Sequence, residues 1–144
     1  MTIALPDALN DECLVLKSRK AARAITRRYN VLLKPYGLQS TQASLLFCIG
    51  GGGFHSISSL ARQMDLERSA MTRNLAVLQR QGLIAPDKTG QGRMQVFALT
   101  PQGEEKVRQI LPVWQQAQTE IRGELGANDW QAVQQALSRM AAIG

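Results

Sequence analysis

The chain has 144 residues, 44% hydrophobic and 19% charged, with 17 Lys+Arg against 11 Asp+Glu for a net charge of +6. That length fits one domain that buries its own core without staples, and its longest nearly uncharged apolar run, Ala43–Ile49, is far short of the ~20 residues that cross a bilayer. Two cysteines, Cys13 and Cys48, and one histidine, His55, exclude a disulfide scaffold and any metal site built wholly of thiolates or on several histidines.

The charge is divided along the chain. Residues 1–100 hold 13 basic and 6 acidic side chains, and residues 101–144 hold 4 and 5. No Asp or Glu interrupts Cys13 to Met64, where Lys17, Arg19, Lys20, Arg23, Arg27, Arg28, Lys34 and Arg62 stand. A basic lobe of this kind points to a polyanionic partner, nucleic acid before membrane. The start, MTIALPDALNDEC, has no basic segment leading an apolar block, so the expected compartment is the reducing cytoplasm.

Residues 1–9 read as an arm. From about Asn10 to Leu33 the pattern is helical, with Leu14, Ala21, Ile25 and Leu32 on one stripe. Pro35 and Gly37 end it. A second helix starts at a Ser40 or Thr41 cap and carries the apolar run to Ile49. Gly50–Gly53 reads as a loop, and without a following Lys-Ser/Thr it is no phosphate-binding loop. His55 reads as a loop or capping residue rather than a ligand. A third helix begins at Ser56 or Ser58 and buries Leu60, Ala61 and Met64. Asp65-Leu66-Glu67 is a short turn. A fourth helix spans Arg68–Arg80, with Met71, Leu75 and Leu78 inward and Gly82 after its end.

The period then changes to two. Leu83–Ala85 and Met94–Leu99 are strands around a polar, glycine-bearing loop, which makes a β-hairpin. Thr100 caps a helix that opens with Pro101, carries Glu104 in its first turn and runs to about Gly123, with a kink expected at Pro112. A last helix, capped by Asn128 or Asp129, aligns Trp130, Val133, Leu137 and Met140.

Helix, short turn, helix, hairpin is the order of a winged helix-turn-helix. A helix of about 13 residues enters the major groove and offers its first turns to base edges. Arg68, Ser69, Thr72 and Arg73 occupy those turns outside the apolar stripe. Arg binds guanine bidentately, and Ser and Thr hydroxyls bind bases or phosphates. Arg93, in the hairpin loop, suits a narrow minor groove. Arg62 stands evenly between phosphate contact and solvation. The basic run Lys17–Arg28 fits solvation and intersubunit pairing better than DNA contact. One histidine and no nucleophile motif argue against an enzyme, and nothing calls for a cofactor.

The segments CLVLKSRKAARAITRRY, LLKPYGLQSTQASLL, SISSLARQMDLERSAMTRNLAVLQRQGLI, GQGRMQVFALTPQGEEKV and LPVWQQAQTEIRGELG together resemble the multiple-antibiotic-resistance regulator (MarR) family. The recognition helix followed by Gly-Leu-Ile, and the wing closing in Leu-Thr-Pro-x-Gly, carry most of the likeness. The resemblance implies a mainly α fold with a small β-hairpin wing. It implies one domain over residues 1–144, with dimerisation helices at about 10–34 and 101–144 and a winged lobe at about 38–100. It implies a homodimeric repressor that leaves a pseudo-palindromic operator when a small aromatic or phenolic effector, or an oxidant, acts on it. Arg68, Ser69, Thr72 and Arg73 then match the recognition positions and Arg93 the wing arginine. Gln91 replaces the Asp that many members carry two residues before that arginine, and the four-glycine run is unusual for the family.

The same resemblance implies a pocket between the dimer helices and the DNA-binding lobe, with Tyr29, Tyr36, Leu46, Phe47 and Trp114 as candidate lining and Arg23 or Arg27 as a partner for an aromatic carboxylate. For each of these residues alone, ordinary packing is the simpler reading. Cys13 has two readings, a redox-sensing thiol near a helix start and an inert interface cysteine, and the flanking pattern of the peroxide-sensing members is not present. Cys48 reads as buried and inert. A nonspecific architectural DNA-binding or protein-interaction module stays open as the alternative to a sequence-specific regulator.

Overall fold

The computed structural model describes residues 2–52, 56–87 and 95–144. Seven helices occur among them: α1 (Ala8–Asp11), α2 (Leu14–Leu33), α3 (Ser40–Gly50), α4 (Ile57–Met64), α5 (Arg68–Arg80), α6 (Pro101–Leu125) and α7 (Ala127–Ala141). Two short strands, β1 (Ile84–Pro86) and β2 (Phe97–Leu99), pair antiparallel with Ile84 opposite Leu99 and Ala85 opposite Ala98. Ser56 forms one further bridge with Val96, which ties the start of α4 to the wing. The expected mainly helical fold with a hairpin wing is the one observed.

The first expected helix is divided. Cys13 takes an extended conformation as the cap of α2, so α1 and α2 are separate. A 3-10 turn over Lys34–Tyr36 and a left-handed Gly37 close α2. The cap of α3 is Gln39 rather than Ser40 or Thr41, because the longer Gln42 side chain reaches back to accept from the Gln39 N–H at 3.0 Å. The cap of the last helix is Gly126, at φ 81°, rather than Asn128 or Asp129, so the helix starts at Ala127.

The glycine run is also corrected. Gly50 is the last residue of α3 rather than loop, and a Cβ there would stand 2.9 Å from Leu99 Cδ1. Gly53 and His55 lie outside the described residues.

The core is a single cluster. Leu45 and Leu46 of α3, Leu60 of α4, Met71, Leu75 and Leu78 of α5, and Ile110 of α6 are its most deeply buried members. α6 is the long member that packs against both α2 and α3. Burial of these aliphatic side chains, each worth about 1.5–3 kcal/mol, holds the lobe together. The α2 stripe behaves otherwise. Leu33 alone of α2 is buried, while Leu14 is 67% exposed and Ile25 41%. On α7, Val133, Leu137 and Met140 are exposed and no residue is buried. Leu32 of the α2 stripe packs against the core, but the start of α2 and the apolar face of α7 stay exposed among the described residues.

Candidate nucleic-acid interface

The interface is built from α4 outward. Ser56 caps α4 with its Oγ, which accepts from the Ser59 N–H at 3.1 Å. The Leu60 and Ala61 face turns inward. Asp65 then adopts the left-handed conformation at φ 50°, which reverses the chain within a tight turn. Glu67 is extended and α5 begins at Arg68.

Burial on α5 fixes what it presents. Met71, Leu75 and Leu78 hold one face against the core, so Arg68, Ser69, Thr72 and Arg73 share the exposed face. The Thr72 hydroxyl donates to the Arg68 carbonyl at 2.9 Å, which leaves its lone pairs outward as acceptors. Asn74 donates to the Ala70 carbonyl at 2.9 Å and is held along the helix. Arg62, at the end of α4, is exposed as well. Among the described residues Arg62, Arg68 and Arg73 take part in no salt bridge. An exposed guanidinium without a carboxylate partner is available to an outside anion. Arg93 and Gln91 lie outside the described residues.

The stem of the wing explains the Leu-Thr-Pro-x-Gly signature. The Thr100 N–H donates to the Leu83 carbonyl at 3.1 Å and its hydroxyl donates to the Gly82 carbonyl at 2.5 Å. The same hydroxyl accepts from the Gly103 N–H at 3.0 Å, so one side chain caps α6 and ties it to the end of the recognition helix. Gly103 is buried against the Leu83 backbone. Pro101 occupies the first helical turn, where its missing N–H costs nothing.

A second feature lies away from the residues of α4 and α5, none of which lines it. A cavity of about 180 Å³ opens between α2, α3 and α6, lined by Tyr29, Phe47 and Trp114 together with Ile25, Thr26, Leu33, Ser40, Ala43 and Ser44. Burial pushes the Tyr29 phenol above its ordinary range, so it is a neutral hydroxyl. Three of the aromatic candidates thus meet. Tyr36 does not join them: it packs against the core and its carbonyl accepts from Lys106. Leu46 is wholly buried inside the lobe. Arg23 and Arg27 are exposed on α2 and do not line the cavity, since Thr26, Tyr29 and Leu33 hold the facing positions. The small residues Thr26, Ser40, Ala43 and Ser44 also line it, and nothing in the sequence but their place in the fold marks them as cavity residues.

Cys13 is half-buried at the head of α2, and Cys48 is half-buried in α3, where burial raises its thiol pKa. At the other end of α2, Arg28 makes a two-pronged contact with Glu124 of α6 at 2.5 and 3.1 Å. This pair holds the Glu124 carboxyl below its ordinary range, first through the hydrogen bond and also through the charge of Arg28. Among the described residues no group of three His, Cys, Asp or Glu side chains could hold a metal. No described helix is long and apolar enough to cross a membrane.

Comparison with known proteins agrees with this geometry. The MarR family model matches residues 38–86, from the turn before α3 through β1. The Mycobacterium tuberculosis transcriptional regulator MosR, solved in complex with DNA, is 32% identical, with 90% of this chain and 93% of that one covered and a TM-score of 0.79. The helix-turn-helix-type regulator YwoH of Bacillus subtilis, itself uncharacterized, is 27% identical over 97 residues, 67% of this chain and 71% of YwoH. The M. tuberculosis MarR-family protein Rv2887, solved with salicylic acid, shares the fold at a TM-score of 0.68 and 20% identity, with 89% of this chain and 96% of that one covered. The chain belongs to the MarR family and is a DNA-binding transcriptional regulator, not an enzyme.

Proposed function

We propose that the chain acts as a cytoplasmic homodimeric repressor that reads a pseudo-palindromic operator, with α5 of each protomer in one major-groove half-site. The observation that carries this reading is the exposed α5 face, where Arg68, Ser69, Thr72 and Arg73 stand outward with no acidic partner among the described residues. Arg62 adds a phosphate contact, and Arg93 reaches the flanking minor groove. The exposed apolar residues at the start of α2 and on α7 supply the second half of the reading. Buried between two copies, they place two recognition helices about one helical turn apart. Residues 10–34 and 101–144 then serve dimerisation, and residues 38–100 form the reading lobe. A salt-titrated gel shift on the upstream region of its own gene tests this. Operator and random duplex binding equally at every salt concentration would favour the nonspecific architectural module instead.

The effector in this reading is a small aromatic or phenolic acid in the cavity beside Tyr29, Phe47 and Trp114. Its volume supports the idea, since an apolar cavity of about 150 Å³ admits a single benzene ring. The salicylic acid complex of Rv2887 supports the same chemical class. Occupancy shifts the population toward a dimer whose α5 helices no longer match both half-sites. An oxidant acting at Cys13 is the second route, favoured by its position as the cap of α2. Peroxide release of DNA that survives Cys13→Ser would remove that route.

A further inference from the structure

Three helices reach into one short turn. The segment 34–39, between α2 and α3, has its Tyr36 carbonyl bonded by Lys106 Nζ of α6 at 3.2 Å. Its Gly37 carbonyl accepts from Nε2 of Gln81, the residue that caps the end of α5, at 3.2 Å. At its exit the Ser40 N–H donates to Oδ1 of Asn30 of α2 at 2.7 Å. Helix packing does not require this convergence. Two of the bonds join a backbone carbonyl of the turn to a side chain from α6 or from the cap of α5, and the third joins the first N–H of α3, just past the turn, to a side chain of α2.

The turn is thereby fixed relative to three bodies with different duties. α2 carries exposed apolar residues at its start, α5 carries the outward cationic face, and α6 spans the two. Ser40, one of the bonded residues, also lines the cavity between α2, α3 and α6. Gly37 is left-handed at φ 71°, so the turn has a defined shape that a few polar bonds select.

Resting on the repressor reading above, we propose that the 34–39 turn is the joint that sets the angle of the recognition helix to the dimer helices. Gln81 and Lys106 are its positioning residues, and neither touches DNA. Loss of either donor leaves the lobe folded and its basic face intact. It widens the range of α5 orientations, which penalises simultaneous engagement of two half-sites and spares single-lobe contacts.

The test uses the full chain and a duplex selected by the wild-type protein from a random pool. Gln81→Met removes the donor with size and charge kept. Lys106→Met removes the second donor, and Lys106→Arg restores both charge and donor. Affinities are measured for the selected duplex, for the same duplex with one base pair inserted between half-sites, and for random DNA. The expected result is a loss of about three- to tenfold on the selected duplex for Gln81→Met, on the scale of one hydrogen bond. Random-DNA affinity stays unchanged, the penalty for the inserted base pair shrinks, and Lys106→Arg recovers what Lys106→Met loses. A Gln81→Met protein with wild-type affinity and wild-type spacing preference overturns the joint, as does an equal loss on selected and random DNA. If the wild type itself selects no duplex, the repressor reading falls, and the joint with it.

Discussion

A Cβ placed on Gly103 would stand 1.9 Å from the carbonyl oxygen of Leu83, far inside the closest approach of two non-bonded heavy atoms. The first turn of α6 therefore lies directly on the chain that leaves the recognition helix. Glycine is required by contact here, and not by a left-handed backbone, since Gly103 is helical. Gly103→Ala should cost about 2–3 kcal/mol, because backbone on one side must move. Gly50→Ala is the contrast: its Cβ meets the tip of Leu99 at 2.9 Å, and a flexible side chain can turn aside. Urea unfolding of both proteins checks this, and equal midpoints for the two would refute the close approach.

Arg73 lies in the second turn of α5, exposed and without a carboxylate partner among the described residues. Its truncation to alanine should weaken operator binding by about 1–3 kcal/mol and random-duplex binding by less. Competition between selected and scrambled duplexes measures the difference directly. Unchanged discrimination would assign Arg73 to the phosphate backbone or to solvent.

The Arg28–Glu124 pair gives the fold an acid-side dependence. Glu124 has a folded-state pKa below its unfolded value, chiefly because it accepts from the Arg28 guanidinium. Such a group adds stability above its unfolded pKa, and that stability is lost as pH falls through the folded pKa. The window therefore lies below the ordinary carboxylate value of 4.5. Glu124→Gln should melt nearer to wild type at pH 3 than at pH 6. The gap at pH 6 should be small and should shrink with added salt, because both groups face solvent. Identical melting differences at the two pH values would dissociate the pair from stability.

What the sequence discloses depends on how local each cause is. The bounds of α5 at Arg68 and Arg80 follow from a turn at Asp65-Leu66-Glu67 and a glycine at 82, all within a few residues. The cap of α6 at Thr100 is equally local. The cap of α3 escapes because it depends on the reach of Gln42. Gly50 reads as loop because the strand residue that crowds it, Leu99, is 49 positions away. The α2 stripe is legible as an apolar face, but periodicity reports a face and not its partner: Ile25 borders the cavity, while Leu14 stays 67% exposed. Tyr29 and Tyr36 both pack against the core, but Tyr29 sits on α2 where it also lines the cavity, and Tyr36 sits in the 3-10 turn and does not line it.

That uncovered surface yields its own prediction. Val133, Leu137 and Met140 are exposed at 38%, 47% and 37% on a helix that buries nothing in its own chain. Contiguous apolar area of this kind marks an interaction face. Leu137→Glu should shift the protein toward monomer in sedimentation velocity and weaken operator binding, while random DNA is still held through the basic lobe. A Leu137→Glu protein that sediments as wild type does would place the interface elsewhere.

The cavity between α2, α3 and α6 can be closed without touching the core. Ser44 lines it from an exposed position on α3, whereas Ala43 and Leu33 beside it are buried. Ser44→Leu fills the mouth with a side chain that has somewhere to go, so overpacking strain should be small. Salicylate is the probe. In the wild type it should quench the fluorescence of Trp114, which lines the cavity, and lower operator affinity. Ser44→Leu should lose the quenching and the release together, with an unchanged melting temperature. Trp114→Phe separates this signal from that of Trp130. Release of DNA by salicylate that persists in Ser44→Leu would move the effector site out of this cavity.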